Sequence, residues 1–357
     1  MPQISILIIN YNSGDRLPRV LRYIAAQHFQ DFEVVVWDNA SSDGSTQIDF
    51  PEGIEGRVIP HRENLGFAGG VMAAIPHCEG DWVAVLNPDA YPEPGWLAAL
   101  WRGAERYGPS TVLGCVQICE GAQDRLDGLG DAYHISGTAW RGGFGKPAAQ
   151  YPITEDVEIF AACFAGALFH KETFLDHGGL DTDFFCYHED VDFGFRHRLF
   201  GGRSILIHDA VMLHEGSGVT GRYSDFTVFH GIRNRQWTFI KNMPTPLLPV
   251  AVPAFVLFSV AFLIRSFMLG IGKSYSRGWW AAWRGQAAYW QKRREIQSRR
   301  RISIWALARC LSWSPLAPLR RAPQLMKIGD ELPPSTDRDT DQRHPDSPHA
   351  ATHRSPH

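Results

Sequence analysis

Four short apolar runs, each closed by a polar or glycine-rich segment, constrain the fold of this chain more than any other feature. The runs lie at residues 4–9, 32–37, 58–59 and 82–86. Stretches with helical spacing separate them, such as residues 17–27, whose apolar side chains fall on one face. This alternation of strand, loop and helix predicts an α/β fold with a doubly wound, mostly parallel, Rossmann-like sheet.

Polar clusters follow these strands, and ligands of doubly wound sheets bind at the carboxyl ends of the strands. Asp38 closes the second strand. Its carboxylate could accept a hydrogen bond from a pyrimidine imide N–H, or it could cap the next helix. Residues 64–70, Asn-Leu-Gly-Phe-Ala-Gly-Gly, could hold a phosphate on their N–H groups or form a plain tight turn. Asp89 follows the fourth strand and could bind Mg²⁺ or Mn²⁺, or simply belong to a proline turn.

Three carboxylates within four residues mark the segment His-Glu-Asp-Val-Asp at residues 188–192. A helix that begins here would stabilise them through its dipole. Alternatively, one of them is a general base that takes a proton from an acceptor hydroxyl. His214 follows a further strand, predicted at residues 204–207, and could complete a metal site with Asp89 or be structural. The glycine-rich residues 121–156 predict a long irregular loop or lid.

Charge and hydropathy change after residue 243. The whole chain has a formal net charge of −3, which argues against a nucleic-acid partner. Residues 247–264 are almost wholly apolar, and residues 265–327 are basic. Apolar sequence beside basic residues, with tryptophans within residues 279–290, suits an anionic membrane surface. The prolines in the apolar stretch favour peripheral or monotopic attachment over a spanning helix.

Several of these segments occur in the same order in one enzyme family. They are Ser-Ile-Leu-Ile-Ile-Asn-Tyr-Asn at residues 5–12, Val-Trp-Asp-Asn-Ala-Ser-Ser-Asp-Gly-Ser at 36–45, the segment at 64–70, Asn-Pro-Asp at 87–89, Gly-Gly-Leu-Asp at 178–181 and the segment at 188–192. The pattern resembles the inverting family 2 glycosyltransferases with the GT-A fold, nearest to rhamnosyltransferase-like members that build bacterial cell-surface polysaccharides. It covers most of residues 3–243. One departure is that the family's DXD metal motif keeps only its last acid, Asp89.

The resemblance implies roles for individual residues. The nucleotide-sugar site would comprise Asn10, Tyr11, Asp38, Asn64, Gly66, Phe67, Gly70, Asn87 and Asp89. The catalytic base would be Asp190, with Glu189 beside it, and the metal ligands would be Asp89 and His214. Acceptor-side residues would be Gly166, Asp181, Asp192 and Arg196. Arg233 and Arg235 are candidates to contact the diphosphate or the lipid acceptor.

The resemblance also implies a domain plan. We expect a GT-A domain at residues 1–243, with a nucleotide-sugar half at 1–115 and an acceptor half at 116–243. Membrane-associating helices would follow at residues 244–328, and residues 329–357 would form a disordered tail. Six cysteines without metal-site spacing indicate a reduced, cytosolic chain, which would work at the cytoplasmic face of the inner membrane.

The expected reaction is inverting transfer of a sugar from a nucleotide diphosphate sugar to a lipid-linked or polysaccharide acceptor, with Mg²⁺ or Mn²⁺. Rhamnose from dTDP-rhamnose is the donor that the resemblance favours. One alternative is a sugar nucleotidyltransferase, although the loop after the first strand is poor in the positive charge that such enzymes use. The other is an inactive nucleotide-sugar-binding scaffold of a polysaccharide assembly complex.

Overall fold

The computed structural model describes residues 1–216 and 224–329; most of the predicted disordered tail lies outside the described residues. The strands in these ranges are β1 (Ile4–Asn10), β2 (Phe32–Asp38), β3 (Gly56–Pro60), β4 (Trp82–Leu86), β5 (Ala90–Pro92), β6 (Thr111–Cys119), β7 (Ala122–Gly128), β8 (Asp131–Tyr133), β9 (Ala139–Arg141), β10 (Val157–Ile159), β11 (Gly166–His170) and β12 (Arg203–His214). The α-helices are α1 (Arg16–Ala25), α2 (Gly66–Ala74), α3 (Trp96–Tyr107), α4 (Lys171–Asp176), α5 (Glu189–Leu199), α6 (Asp225–Asn242), α7 (Leu248–Met268), α8 (Gly272–Ser298), α9 (Ile304–Arg309) and α10 (Ala317–Arg320).

The central sheet has the strand order β10-β12-β6-β11-β4-β1-β2-β3. β1 pairs in parallel with β2 and β4, and β12 pairs in parallel with β6, whereas β11 runs antiparallel between β4 and β6. Helices cover both faces. Ile6 and Ile8 share a core with α1 and α3, while Leu7 and Ile9 share one with α2 and α4. Every residue of β1 is therefore buried, which is why the run is continuously apolar. The predicted doubly wound, mostly parallel fold is confirmed.

The prediction of an irregular lid at residues 121–156 was wrong. This stretch contains β7, which pairs antiparallel with β6, and a small separate hairpin of β8 and β9. Their sequences are short and polar, so pairing with neighbours creates them rather than intrinsic propensity. β12 is also longer than predicted, because it continues past an irregularity between Ile207 and Val211 as far as His214.

The region from residue 244 onward packs against the acceptor half. Tyr133 and Phe195 share one apolar core with Leu247, Ile296 and Leu311. Met326 and Glu158 exchange backbone hydrogen bonds of 2.8 and 2.9 Å, which tie the end of the described chain to β10. The α6, α7 and α8 helices and the catalytic part are thus held together by a common core.

The α7 helix carries a dense set of exposed apolar side chains, such as Val256, Leu257 and Phe267. Residues Thr245–Met268 form one stretch long and apolar enough to cross a membrane by length and composition, with a mean hydropathy of 2.6. α7 contacts α6 through side chains: Phe255 stacks on Phe239, and Ser259 accepts a hydrogen bond from Arg235. Since residue numbers rise along α7 as they fall along α6, the two helices run antiparallel.

Candidate active site

The ends of β1 and β2 form a buried polar cluster around Asp38. The strand register places Asn10 beside Asp38, and the Asn10 Nδ2 donates to Asp38 Oδ1 at 3.0 Å. The same amide donates to the hydroxyls of Ser41 and Ser45, while the Ser41 N–H donates to Asp38 Oδ2 at 3.2 Å. Asp38 caps no helix, because the chain runs from β2 to β3 without one. The N-cap alternative is therefore wrong.

The loops after β1 and β2 interlock beside this cluster. Asn12 Oδ1 accepts from the Ser42 N–H at 2.8 Å, and Asp43 Oδ2 accepts from the Gly14 N–H at 2.8 Å. Tyr11 remains 41% exposed at the edge of the cluster. The arrangement offers a rigid polar floor and an exposed aromatic ring, which suit a planar base.

Residues 64–70 form the start of α2 and bring it close to two neighbours. Gly66 has φ +71°, and a Cβ there would lie 2.4 Å from the carbonyl oxygen of Phe185. A Cβ at Gly70 would lie 2.9 Å from Ile9 Cγ2, so helix α2 can approach β1 this closely only with glycine at that position. Asn64 Oδ1 accepts from the Gly66 N–H at 2.8 Å. The segment thus joins the nucleotide half to residue 185 of the acceptor half.

Asp89 and His214 meet because β5 pairs antiparallel with β12, which sets Ala90 opposite His214. His214 Nε2 lies 3.4 Å from Asp89 Oδ1, and His214 Nδ1 lies 2.7 Å from Asp127 Oδ2. Burial lowers the pKa of His214, but its hydrogen bond to Asp127 and the adjacent carboxylate of Asp89 outweigh burial and raise the pKa overall. Asp127 was not predicted, because it lies in the stretch expected to be a loop.

Asp89 and His214 together have the features of a divalent-cation site. His214 Nε2 is buried and makes no hydrogen bond within residues 1–216 and 224–329. A carboxylate on the other ring nitrogen, here Asp127, is the usual partner of a metal-binding histidine. Asp89 supplies an oxygen ligand of the kind that Mg²⁺ and Mn²⁺ prefer. The residues therefore fit the predicted cation.

A cavity of about 490 Å³ lies beside this pair, at the start of α5. Phe67 and Asn87 line it from the nucleotide half, and Glu189 and Asp190 line it from α5. Asp190 Oδ1 accepts from the Val191 N–H at 2.8 Å, and Oδ2 accepts from the Phe164 N–H at 3.4 Å. Burial raises the pKa of Asp190, and these hydrogen bonds offset the rise only in part.

The other carboxyls of the cavity differ from Asp190 in how strongly their surroundings favour the neutral acid. Burial and the neighbouring charge of Asp190 raise the pKa values of both Glu189 and Asp131 well above the usual range. For Asp190, backbone hydrogen bonds and Arg141 oppose the effect of burial. Asp190 is the carboxyl of this cluster that is best placed to ionise and accept a proton.

Arg141 connects the cavity to the His214 pair. One of its nitrogens bonds Asp127, and the other donates to Cys163 Sγ at 3.4 Å. Asp131, Cys163 and Asp190 have potential ligand atoms within 4.8 Å of one another. Burial raises the pKa of Cys163, which keeps it a thiol, and Arg141 adds a positive charge. A hard cation therefore fits Asp89 and His214 better than this second group.

The backbone before α5 has an unusual conformation that α6 stabilises. Phe185, Tyr187 and His188 all have positive φ angles, between 64° and 70°. Asn234 Nδ2 lies 3.0, 2.9 and 2.7 Å from the carbonyl oxygens of Phe184, Cys186 and Tyr187, respectively. No local sequence pattern marks Asn234, because its partners are distant in the chain.

Comparison with known proteins agrees with this geometry. Residues 5–174 match the family described as Glycosyl transferase family 2. Residues 5–174 thus form a family 2 glycosyltransferase domain. It is 27% identical over 237 residues to the N-acetylglucosaminyl-diphospho-decaprenol L-rhamnosyltransferase of Mycobacterium tuberculosis (strain ATCC 25618 / H37Rv), which covers 61% of this chain and 77% of the relative. It is 30% identical over 115 residues to succinoglycan biosynthesis protein ExoO of Rhizobium meliloti (strain 1021), over 32% of this chain and 33% of that relative.

Solved glycosyltransferases share the fold. S. aureus TarS 1-349 in complex with UDP-GlcNAc superposes with a TM-score of 0.52 and 16% identity, over 83% of this chain and 90% of that one. GalNAc-T7 with UDP, GalNAc and Mn²⁺ gives a TM-score of 0.54 and 14% identity, over 68% of this chain. This chain spans about half, 48%, of that protein. At these identities the likeness shows the GT-A fold alone.

The remaining predicted site residues of this glycosyltransferase domain do not line the catalytic cavity. Asp192 accepts from Lys241 at 2.8 Å, from Arg196 at 3.0 Å and from Asn242 at 2.8 Å, which joins α5 to α6. Asp181 bonds the same Lys241 at 2.6 Å. These buried charges are paired with one another, as buried charges must be.

Gly166, Arg233 and Arg235 likewise do not line the cavity and make their contacts in the sheet and around α6. A Cβ at Gly166 would lie 2.5 Å from Met212 Sδ inside the sheet. Arg233 donates to the carbonyl oxygens of Asp183 and Phe184. Arg235 is buried and donates to two carbonyl oxygens and to Ser259 Oγ. Their described contacts support the backbone and the packing around the site.

Proposed function

We propose that this glycosyltransferase moves a sugar, with inversion, from a pyrimidine nucleotide diphosphate donor to a lipid-linked saccharide. Rhamnose from dTDP-rhamnose is the donor we favour. The observation that carries the reaction is the placement of Asp190, whose pKa is raised, in a cavity that residues of both the donor and acceptor halves line. The Mycobacterium tuberculosis relative is by name a rhamnosyltransferase that acts on a lipid-linked sugar, which supports the choice of substrates.

Asp190 is the proposed general base. Its carboxylate takes the proton of the acceptor hydroxyl as that oxygen attacks the anomeric carbon from the face opposite the diphosphate. Its raised pKa makes it a stronger base than an exposed aspartate, and positioned general bases typically contribute about 10²–10⁴-fold. The bond from the anomeric carbon to the diphosphate breaks as the new glycosidic bond forms, which inverts the configuration.

The donor would lie along the carboxyl edge of the sheet. Asp38 would accept from the imide N–H of uracil or thymine, because its carboxylate stands in the cluster at the ends of β1 and β2. Asn64, Gly66 and Phe67 at the start of α2 would line the path of the diphosphate, and Asn87 would face the sugar. A divalent cation held by Asp89 and His214 would supply positive charge for the departing diphosphate.

We also propose that α7 and α8 attach the enzyme to the cytoplasmic face of the plasma membrane, as a peripheral or monotopic protein. Leu257, Ile264 and Phe267 of α7 are more than half exposed, and Trp280 and Trp283 of α8 are exposed and stacked on each other. Exposing these apolar side chains to water would be costly in free energy, whereas contact with lipid would be favourable.

A donor screen tests the proposed reaction. The purified full chain in detergent is titrated with uridine, deoxythymidine and guanosine diphosphate sugars plus Mn²⁺, and donor binding and slow donor hydrolysis are followed. We expect selective binding of one pyrimidine diphosphate sugar and release of the nucleoside diphosphate. Release of pyrophosphate would instead indicate the nucleotidyltransferase alternative. Binding without any turnover, with acceptor present, would indicate the scaffold alternative.

A further inference from the structure

A second cavity, almost entirely apolar, adjoins the catalytic cavity. It measures about 250 Å³ and lies between α6, α7 and α8. Thr227 and Gly231, on the first turns of α6, line both cavities, so the two spaces meet at these residues. A Cβ at Gly231 would meet no atom of residues 1–216 and 224–329 within 4 Å, so these parts of the chain leave space at the point that the two cavities share.

Helix α7 forms one wall of the second cavity, and the opposite face of the helix is the surface that we assign to the membrane. Ser259 and Ser266 on α7 are buried, whereas Val256, Leu257 and Val260 are about half to two thirds exposed. The helix thus turns its hydroxyl groups inward and its apolar side chains outward, the reverse of a helix at a water-facing surface. A hydrocarbon chain that leaves the second cavity would emerge among these apolar side chains.

Among the described residues that line the second cavity, Arg265 alone is charged. It is also the single charged residue of α7. It is exposed and makes no side-chain hydrogen bond or ion pair with any residue in the two described ranges. A guanidinium at the wall of an apolar groove that shares residues with a polar cavity suits a phosphate or diphosphate group.

We propose that this cavity, with Arg265 at its wall, binds the first segment of the hydrocarbon chain of a lipid diphosphate acceptor. The diphosphate then lies near Arg265 and the junction at Gly231, and the sugar hydroxyl reaches Asp190 in the catalytic cavity. At about 250 Å³ the groove is smaller than most ligand pockets, so the rest of the chain stays in the bilayer. This inference rests on the proposed transfer to a lipid-linked saccharide and adds the site that recognises the lipid.

Varying the length of the acceptor's hydrocarbon chain tests whether the groove binds that chain. The full chain is assayed with two acceptors that carry the same saccharide diphosphate, one on a geranylgeranyl chain and one on a butyl chain. The readout is the ratio of kcat/KM for the long acceptor to that for the short one. We expect the wild-type ratio to exceed about ten, because the groove removes apolar surface from water only for the long chain.

Substitutions that fill the groove should abolish this preference. Gly231→Leu projects into open space and replaces glycine in a helix, so it should fold; Gly231→Ala is its matched control. Val228→Trp fills the groove without lining the catalytic cavity, and Leu257→Trp is the control on the outer face of α7. Gly231→Leu and Val228→Trp should lower the ratio at least tenfold, whereas both controls should keep it. Equal long-to-short kcat/KM ratios in the wild type and all variants would contradict the proposal that the groove binds the hydrocarbon chain.

Photo-crosslinking separates failure of the groove from failure of the proposed reaction. The probe is the geranylgeranyl acceptor with a diazirine on its first isoprene unit, and no turnover is needed. Label on the peptides that contain Val228 or Phe262, reduced by Arg265→Gln but not by Arg294→Gln, would support the groove even if the donor were misassigned. Label confined to the outer residues of α7, such as Leu257, would overturn it even if transfer occurred.

Discussion

Two neighbouring carboxyls of one helical turn differ in their surroundings. Glu189 and Asp190 begin α5 together, and burial and the charge of Asp190 raise the pKa of Glu189 well above its usual range. Asp190, whose pKa is also raised, receives two backbone N–H groups, which favour its ionised form. This difference supports our proposal that Asp190, rather than Glu189, is the base.

Asp190→Asn and Glu189→Gln should therefore behave differently. Asparagine cannot accept the proton, so sugar transfer should fall about 10²–10⁴-fold while donor affinity, measured by calorimetry, stays near the wild-type value. Glutamine resembles the neutral acid in shape and charge, so Glu189→Gln should keep activity within several-fold. A fully active Asp190→Asn enzyme would exclude Asp190 as the base.

The guanidinium of Arg141 should set the pH at which Asp190 ionises. It lowers the pKa of Asp190 against the larger effect of burial, so Arg141→Met should raise that pKa. Because the base must be ionised, the acid limb of the kcat/KM profile should shift to higher pH. Arg125→Met, which removes an arginine that bonds Gly145 instead, is the control. An unchanged acid limb in Arg141→Met would contradict the proposed role.

At the scale of elements, α6 lines the cavity at its first turns and also holds the segment that precedes α5. Asn234 bonds the carbonyl groups of Phe184, Cys186 and Tyr187, and Arg233 bonds that of Phe184 again and that of Asp183. Positive φ angles at Phe185 and Tyr187 cost energy that such contacts must offset. The position of Asp190 thus depends on a helix about 40 residues later in the chain.

Asn234→Asp should loosen this support. Aspartate keeps the size of the side chain but loses the amide donors, which leaves buried carbonyl oxygens unpaired and should cost about 2–4 kcal/mol in the free energy of unfolding. We expect kcat to fall more than donor affinity. Gln236→Glu on the same helix loses only one long bond, at 3.4 Å, and should cost less. Equal effects of the two substitutions on kcat would count against a role for Asn234 in positioning α5.

At the scale of the whole molecule, buried titratable groups couple stability to pH in two opposing ways. Burial lowers the pKa values of His177, His188 and His230 to about 4 and that of His197 to about 3. These histidines take up protons on unfolding once the pH falls below about 6.5. Glu189 and Asp131, whose pKa values are raised, release protons on unfolding in the same range.

The four histidines outnumber the three carboxyls whose pKa values are raised, Glu189, Asp131 and Asp190, so the free energy of unfolding should fall as the pH drops from about 6.5 to 5. Each net proton taken up contributes about 1.4 kcal/mol per pH unit. Denaturant titrations across this range measure the slope. Glu189→Gln removes a group that keeps its proton only in the folded state, so it should steepen the fall. A stability that rises on acidification would show that the histidines do not dominate.

The sequence alone determined the sheet and much of the donor side. Continuous β-branched runs must be buried on both faces, and the polar residues that end them must gather at one edge, so Asp38, Asp89 and Asp190 could be named from local pattern and resemblance. His214 could be paired with Asp89 for the same reason.

Only the tertiary structure decided the surroundings of these residues. Asp127, Asp131 and Arg141 lie in short polar strands that form by pairing with the adjacent strand rather than from their own propensity, so no local periodicity marked them. Asp192 and Arg196 share a helix with Asp190, yet they face away from the cavity, where Asp192 forms buried ion pairs with Lys241 of α6 and with Arg196 itself. Charge state, too, was decided there, because burial and neighbouring charges, which no local pattern contains, set which carboxyl of the Glu189–Asp190 pair can act as the base.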